Sequence, residues 1–453
     1  MRRRRTTIAA LALGLSAALL AGCGGGTQPT GAGPEGGDEA DGTEGVEEVV
    51  DPGDGTASAW LLTGGVHEAL WSGSFDRWND ENPDREFNYE LFANDPYKER
   101  IRIAVGADNP PTLIFGWGGG ALQEYVDNGN VVDITDETQD VDTRVIESVA
   151  DVGKIDGRTY AIANGQSQPV ILYYNQELFD EVGAEVPTTW DELMTVVDTF
   201  NEADIAPFSV AGQSRWPYLM WIQYLTDRIG GPEVFQAVLD GEPDAWSHPA
   251  IAEALAKIQE LVEADGFVSG YGSVVADANA DLALIYTGRA AMMLQGSWVY
   301  STFKADAEEF TTGGGLGYTT FPAIEDGAGD ISNIVGNPSN YWSVASAGTP
   351  ESQETATAYL NDILWDEEYT EFLLDGGGVP PVVGLEERIG QADDADFLTL
   401  AYEMVRDAGH FQLSWDQALP SAQAQELLMN LEMIFLLQST PQDFVDAMNA
   451  TIR

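Results

Sequence analysis

The 453-residue sequence holds one cysteine, three histidines and four lysines. One cysteine makes no internal disulfide, and Cys23 stands too early in the chain to belong to a large core. His67, His248 and His410 are scattered, and His67-Glu68 lacks the second histidine of a zinc-protease helix, so no Cys/His zinc site is expected. Twenty basic residues face 75 acidic ones, a net charge of −55, and such a surface repels nucleic acid and anionic membranes. A saline habitat, whose salt screens self-repulsion, and a lineage of acidic exported proteins both account for that balance, and neither names a ligand. G-x-S-x-G does not occur, so the usual exposed-serine elbow of hydrolases is absent. Asp277-Ala-Asn279-Ala-Asp281 starts like a calcium loop, but Leu282 stands where glycine is needed and Gly288 where the closing glutamate belongs. Neither a metal nor a cofactor is expected. The apolar run from Ile8 to Leu20 has 13 residues, short of the roughly 20 that a bilayer-spanning helix takes.

What is present begins with Arg2 to Arg5 followed by that apolar run, the charged-then-apolar layout of an export signal over residues 1–22. Leu20-Ala21-Gly22-Cys23 closes it and resembles the bacterial lipobox, which implies diacylation of Cys23 at a new N-terminus. Two acyl chains hold a protein stably at a membrane where one holds it marginally. The expected location is the extracellular face of the cytoplasmic membrane. Residues 24–56 are rich in Gly, Glu and Asp, contain no aromatic residue and cannot bury enough apolar surface to offset ordering. They read as a tether reaching about 30 Å as a flexible coil. Its Gly31-Ala-Gly33-Pro-Glu-Gly36 matches the dinucleotide fingerprint in letters only, since no strand precedes it and no helix follows.

From Ala57 onward the composition is globular, and about 400 residues exceed a single core, so two domains are expected. Strand-like Ala59–Leu62, Thr112–Phe115 and Pro169–Tyr174 alternate with helical stretches, an α/β signature. Leu70, Trp71, Phe75 and Trp78 fall on one side of a helix over Glu68–Asn79. Thr189-Trp-Asp-Glu192 has capping-box spacing, and Thr349-Pro350 and Thr440-Pro441 mark two more helix starts.

Tryptophan recurs beside glycine and amides: Trp117 in GWGGG, Trp216 after Arg215, Trp298 after Gly296, Trp342 after Asn340-Tyr341, and Trp415 before Asp416. An indole offers a flat face with negative charge density to the C–H bonds of a pyranose, while amides and carboxylates bind its hydroxyls. A single tryptophan belongs more often to the core; five such sites at element ends favour a cleft, with two or three touching ligand. Two readings follow: a sugar-binding protein, or a glycosidase-type enzyme, which needs only two carboxylates. An amino-acid receptor fits less well, since charged ends call for a committed ion pair.

PTLIFGWGGGALQEYVDNGNVVDIT (111–135), GRTYAIANGQSQPVILYYNQELFDEVGAEVPTTWDEL (157–193) and YTGRAAMMLQGSWVYSTF (286–303) occur in order, the last matching G-[KR]-A-A-M-x-x-x-G-x-W. With the return through NYWSVASAGTPESQETATAYL, the chain from Ala57 to Arg453 resembles the extracellular solute-binding proteins of carbohydrate ABC importers, the family of the maltose-binding protein. GWGGG with AGQSRWPYLMWIQYLTDRIGG is closest to actinobacterial members for xylobiose and cello-oligosaccharides. The resemblance implies a periplasmic-binding-protein-like α/β fold of two discontinuous lobes, a hinge and an inter-lobe cleft, with lobe one at 57–168 plus 319–365 and lobe two at 169–318 plus 366–453. It implies a monomer that binds a di- or oligosaccharide without altering it and delivers it to ABC permease subunits. Position by position, it points to Trp298 as stacking platform, Trp415 as a second with Asp416 as hydroxyl acceptor, then Trp216 and Arg215, then Trp117, Gly118, Asn340 and Tyr341. The pocket stretch after Tyr160 departs from the family pattern in being amide-rich, with Gln166 and Gln168 as candidates.

Replacing Cys23 by Ala is expected to release the protein from the membrane fraction into the medium. A variant that stays membrane-bound to the same extent contradicts the anchor.

Overall fold

The computed structural model describes residues 56–452; the export signal, Cys23 and nearly all of the tether lie outside them. Among the described residues no helix is long and apolar enough to cross a membrane. Two mixed sheets carry the fold. The first has the order β2 (Phe87–Phe92), β1 (Ala57–Leu62), β3 (Leu113–Gly116), β12 (Tyr341–Val344) and β6 (Ile162–Ala163). The second runs β13 (Phe411–Leu413), β11 (Ile334–Asn337), β7 (Gln168–Asn175), β9 (Ala290–Gly296) and β8 (Ala206–Ser209), with β10 (Leu316–Thr319) on β7; β4 (Lys154–Ile155) and β5 (Arg158–Thr159) form a small hairpin.

Helices α1 (Gly65–Glu81) and α2 (Asn94–Gly106) connect the parallel strands β1, β2 and β3, as parallel pairing demands. The face of α1 expected from spacing is the buried one, with Leu70, Trp71, Phe75 and Trp78 all inside. Thr189 and Glu192 make the reciprocal cap of helix Trp190–Glu202, while Thr349 and Thr440 cap Pro350–Asp362 and Pro441–Asn449. In β7 the side chains alternate between two cores: Val170 and Leu172 pack into one, Ile171 and Tyr173 into the other. A strand buried on both faces reads as an unbroken apolar run, which is why PVILYY is legible as one.

The chain passes between the sheets from β6 to β7 and back from β11 to β12. These two passages lie side by side: Asn164 N–H donates to the Asn340 carbonyl at 2.8 Å, and the Ser339 hydroxyl donates to the Gly165 carbonyl at 2.7 Å. β11 falls inside the 319–365 stretch assigned above to lobe one, yet it is hydrogen-bonded into the second sheet through Gly336 and Asn337. The return to lobe one occurs after it, at residues 338–340.

The loop leading into β11 is fastened by Arg228, which is 2% exposed. Its guanidinium donates to the carbonyls of Asp330, Ile331 and Asn333 at 3.0–3.2 Å and pairs with Asp227 at 3.0 Å. Removing one partner of a buried charged network leaves the others unsatisfied. Arg228→Met is therefore expected to cost about 3–5 kcal/mol in urea unfolding; a loss under about 1 kcal/mol would contradict a fastening role.

Candidate functional site

Between the sheets lies a cavity of about 380 Å³, walled by residues from both. The side of the first sheet supplies the loop after β1 with Gly64, the first turn of α1 with His67 and Glu68, the start of α2 with Asn94 and Lys98, and Trp117 after β3. The side of the second supplies Gln168 from β7, Trp216 and Gln223 around helix Leu219–Gly230, the segment 276–282, Gln295 and Trp298 at the end of β9, and Ser414, Asp416 and Gln417 after β13. Asn337 and Asn340 stand at the return passage.

Three indoles define one part of the cleft. Trp216 and Trp298 lie 5.9 Å apart at 50°, and the Lys98 ammonium sits 5.1 Å from the Trp117 ring and 5.9 Å from that of Trp216, reaching across to the opposite wall. All three indoles are half-buried. Gly296 makes the placement of Trp298 possible: a Cβ built there would overlap the indole, which folds back over the glycine.

The polar part is a set of amides and carboxylates. Gln168 donates to Asn340 Oδ1 at 2.7 Å and accepts from Asn337 at 3.3 Å. Asp416 accepts from Ser414 and from Gln417, both at 2.9 Å. Gln295 donates to Asp281 at 3.2 Å while its own carbonyl oxygen accepts from Gly296 N–H at 3.0 Å. Burial pushes the Asp281 carboxyl up to about 6 and the His67 imidazole down to about 4, so His67 is neutral at physiological pH and accepts from Gln166 N–H at 3.3 Å. These two shifts oppose each other in stability: charging His67 costs stability as pH falls from 6.5 toward 4, whereas Asp281 regains it as pH falls from 6 toward 3.8. Across the mouth, Asp277 accepts from the Asp95 N–H at the start of α2 at 3.0 Å, and Glu124 in α3 (Gly119–Asp127) accepts from Ser421 N–H at 3.0 Å.

Of the residues singled out in the sequence, Trp298, Trp216, Trp117, Asp416, Asn340 and Gln168 come together here. The others do not. Trp415 is 1% exposed, stacked on Phe235 at 4.2 Å and 4° and edge-on to Trp246 at 5.8 Å. Its neighbours Ser414, Asp416 and Gln417 line the cleft, and the short helix Trp415–Ala418 turns Trp415 away into the core. Tyr341 is buried in β12 with its hydroxyl donating to the Val149 carbonyl at 2.8 Å. Gln166 is buried off the cleft, and Gly118, at φ +79°, packs on Val152 and leaves the lining to Trp117. Arg215 turns outward to pair with Glu432 at 2.7 Å. Sequence reasoning did not single out Glu68 or Lys98, and it met Asp277, Asn279 and Asp281 only as a rejected calcium loop; Gln295, an amide beside Trp298, also lines the cleft. No group of His, Cys, Asp and Glu among the described residues could hold a metal ion.

The profile of the bacterial extracellular solute-binding protein family matches residues 64–363. A xylose/arabinose-binding protein of Haloferax volcanii is 26% identical over 356 residues, covering 76% of this chain and 72% of its own. A diacetylchitobiose-binding protein of Streptomyces coelicolor is 24% identical over 215 residues, 46% of this chain and 48% of its own. Among solved structures, one from work on xylan utilization by the thermophilic bacterium Caldanaerobius polysaccharolyticus superposes with a TM-score of 0.79 at 27% identity, covering 88% of this chain and all of its own. A chitin oligosaccharide binding protein superposes at 0.78 with 21% identity, over 87% of this chain and 98% of its own, a likeness of fold.

Because Trp415 is enclosed by aromatic rings, Trp415→Ala is expected to lower stability by about 3–5 kcal/mol in denaturant unfolding. Trp298→Ala, half-exposed to the cavity, should lose less. Equal stability of Trp415→Ala and wild type would return Trp415 to the cleft.

Proposed function

This chain belongs to the bacterial extracellular solute-binding protein family, and we propose that it captures a neutral di- or oligosaccharide between its two sheets and hands it to a membrane permease. It is a binding component of an ABC importer and not an enzyme, as its family and relatives are. The observation that carries the sugar reading is the cavity itself, with three half-buried indoles on one part and groups of hydrogen-bonded amides and carboxylates elsewhere on its walls. Stacking faces take the apolar side of a pyranose ring, and the amides take its hydroxyls as both donors and acceptors.

Trp298 is the principal platform on this reading, with Trp216 beside it, Trp117 from the opposite wall, and Asp416, Asn340 and Gln168 holding hydroxyls. The relatives named for xylose/arabinose and for diacetylchitobiose, and the likeness to a structure from xylan utilization, support a pentose- or hexose-based oligosaccharide. The lobes are 57–168 plus 319–365 and 169–318 plus 366–453, except that β11 pairs with the second sheet, and they close by a hinge at the two passages. The mature protein works as a monomer held at the extracellular face of the cytoplasmic membrane through Cys23. A glycan-processing enzyme is the disfavoured alternative.

Calorimetric titration with xylo- and cello-oligosaccharides is expected to give saturable binding with no products after prolonged incubation. Trp298→Ala should lose roughly 30- to 1000-fold in affinity while remaining folded. Turnover, or near-normal binding by a folded Trp298→Ala, contradicts the corresponding part of the reading.

A further inference from the structure

Asp281 is the deepest carboxylate of the cleft, 1% exposed and part of its wall. One oxygen, Oδ2, accepts from Gln295, whose carbonyl is occupied by the Gly296 N–H, so the amide is fixed in the orientation that donates. The other oxygen, Oδ1, is buried with no side-chain partner, and besides Gln295 only the backbone N–H groups of Asp281 and Leu282, in the first turn of the short helix Ala280–Tyr286, act on the carboxylate. No cation compensates it: the one ammonium among the lining residues, Lys98, lies over the faces of Trp117 and Trp216. Helix-end N–H groups favour the carboxylate, but a buried ionised carboxylate with one side-chain donor and no cation remains costly, so a further donor at Oδ1 would be well used. Gln295 stands one residue before Gly296, over which the Trp298 indole folds, so the orphaned acceptor and the stacking face are held by the same strand end.

Resting on the sugar-binding reading, we propose that Asp281 is the specificity-determining acceptor of the cleft: Oδ1 takes the proton of one free sugar hydroxyl, so the site selects uncharged sugars that carry that hydroxyl. Deoxygenation or O-methylation at that position leaves Oδ1 unpaired and is rejected, because a site built to bond a hydroxyl discriminates strongly against the analogue lacking it. Uronates are rejected by charge, since Glu68, Asp277 and Asp416 share the walls with Asp281. Burial holds the free Asp281 carboxyl near 6, and a donated hydroxyl bond favours the ionised form, so affinity falls as pH drops through that value. Asp277, whose carboxyl burial also raises, lies on the adjoining turn; Glu68, Asp416, Lys98 and the neutral His67 face the same space.

The test compares wild type with Asp281→Asn, which keeps an acceptor for Gln295 and replaces Oδ1 by a donor. With the tightest-binding neutral oligosaccharide of the panel, Asp281→Asn is expected to lose at least about tenfold in affinity. In the absence of sugar it should melt higher than wild type at pH 7.5 and converge with it near pH 4. Wild-type affinity should fall between pH 7.5 and 5, while the variant, which retains Asp277, Glu68, Asp416, Lys98 and His67, is flatter. Unchanged affinity in Asp281→Asn overturns the assignment, as does weakened binding accompanied by a lower melting temperature, which would make Asp281 structural. Wild type that binds no sugar of the panel overturns the sugar reading and this inference together; wild type that binds a matching uronate-bearing oligosaccharide as tightly as the neutral one overturns this inference alone.

Discussion

Everything in the cleft depends on how the two passages between the sheets are fastened to each other. Asn164 and Gly165 run beside Asn340 and Ser339, joined backbone to backbone at one point and through a serine hydroxyl at the other. The Asn164 carbonyl also accepts from the Trp71 indole at 2.9 Å and the Tyr369 hydroxyl at 2.6 Å, which ties the passage to α1 and to helix Glu367–Asp375. A few residues onward the same strands present Gln168, Asn337 and Asn340 to the cavity. The polar floor of the site is thus the continuation of the structural joint, and its amides are oriented by the same register that holds the lobes together.

Much of the fold was legible because its signals are local. Caps at Thr189, Thr349 and Thr440 and the buried face of α1 need no knowledge of tertiary structure. The cleft was legible where indoles recur beside glycine and amides: Trp117, Trp216 and Trp298, with Gln168, Asn340 and Asp416, do line it. Trp415 misled because direction, not type, decided it: one residue on either side faces the cleft, and a single helical turn reverses the indole. Lys98 was missed for the opposite reason, and Asp281 was met only as part of a rejected calcium loop. Lys98 lies in α2 and Asp281 in the first turn of the short helix Ala280–Tyr286, and the role of each comes from what surrounds it in the cleft.

The charge of the chain takes a different meaning at the site. Net charge describes the surface and its partners, but in the cleft each carboxylate is individually managed: Asp416 by two donors, Asp277 by a backbone N–H of α2, Glu68 by the Gly64 N–H, Asp281 by the Gln295 amide and its own helix end. The lone ammonium is drawn onto indole faces. A cavity so arranged offers both acceptors and amide donors, which suits a ligand whose hydroxyls do both.

The glycines at the head of α3 reach further than their own loop. Gly119 and Gly120 lie against the backbone carbonyls of Gln417 and Leu419, across from the second sheet, at a separation where any Cβ would collide. If the lobes close as proposed, the thinnest residue in the chemistry of proteins bears on how far they go, since a methyl group at either position would act as a wedge against the backbone of Gln417 or Leu419. Affinity for a trapped solute depends on how often the closed shape is visited as well as on the contacts made inside it. A lineage could in this way retune capture and release from the rim, one methyl at a time, while leaving every group that touches the solute unchanged.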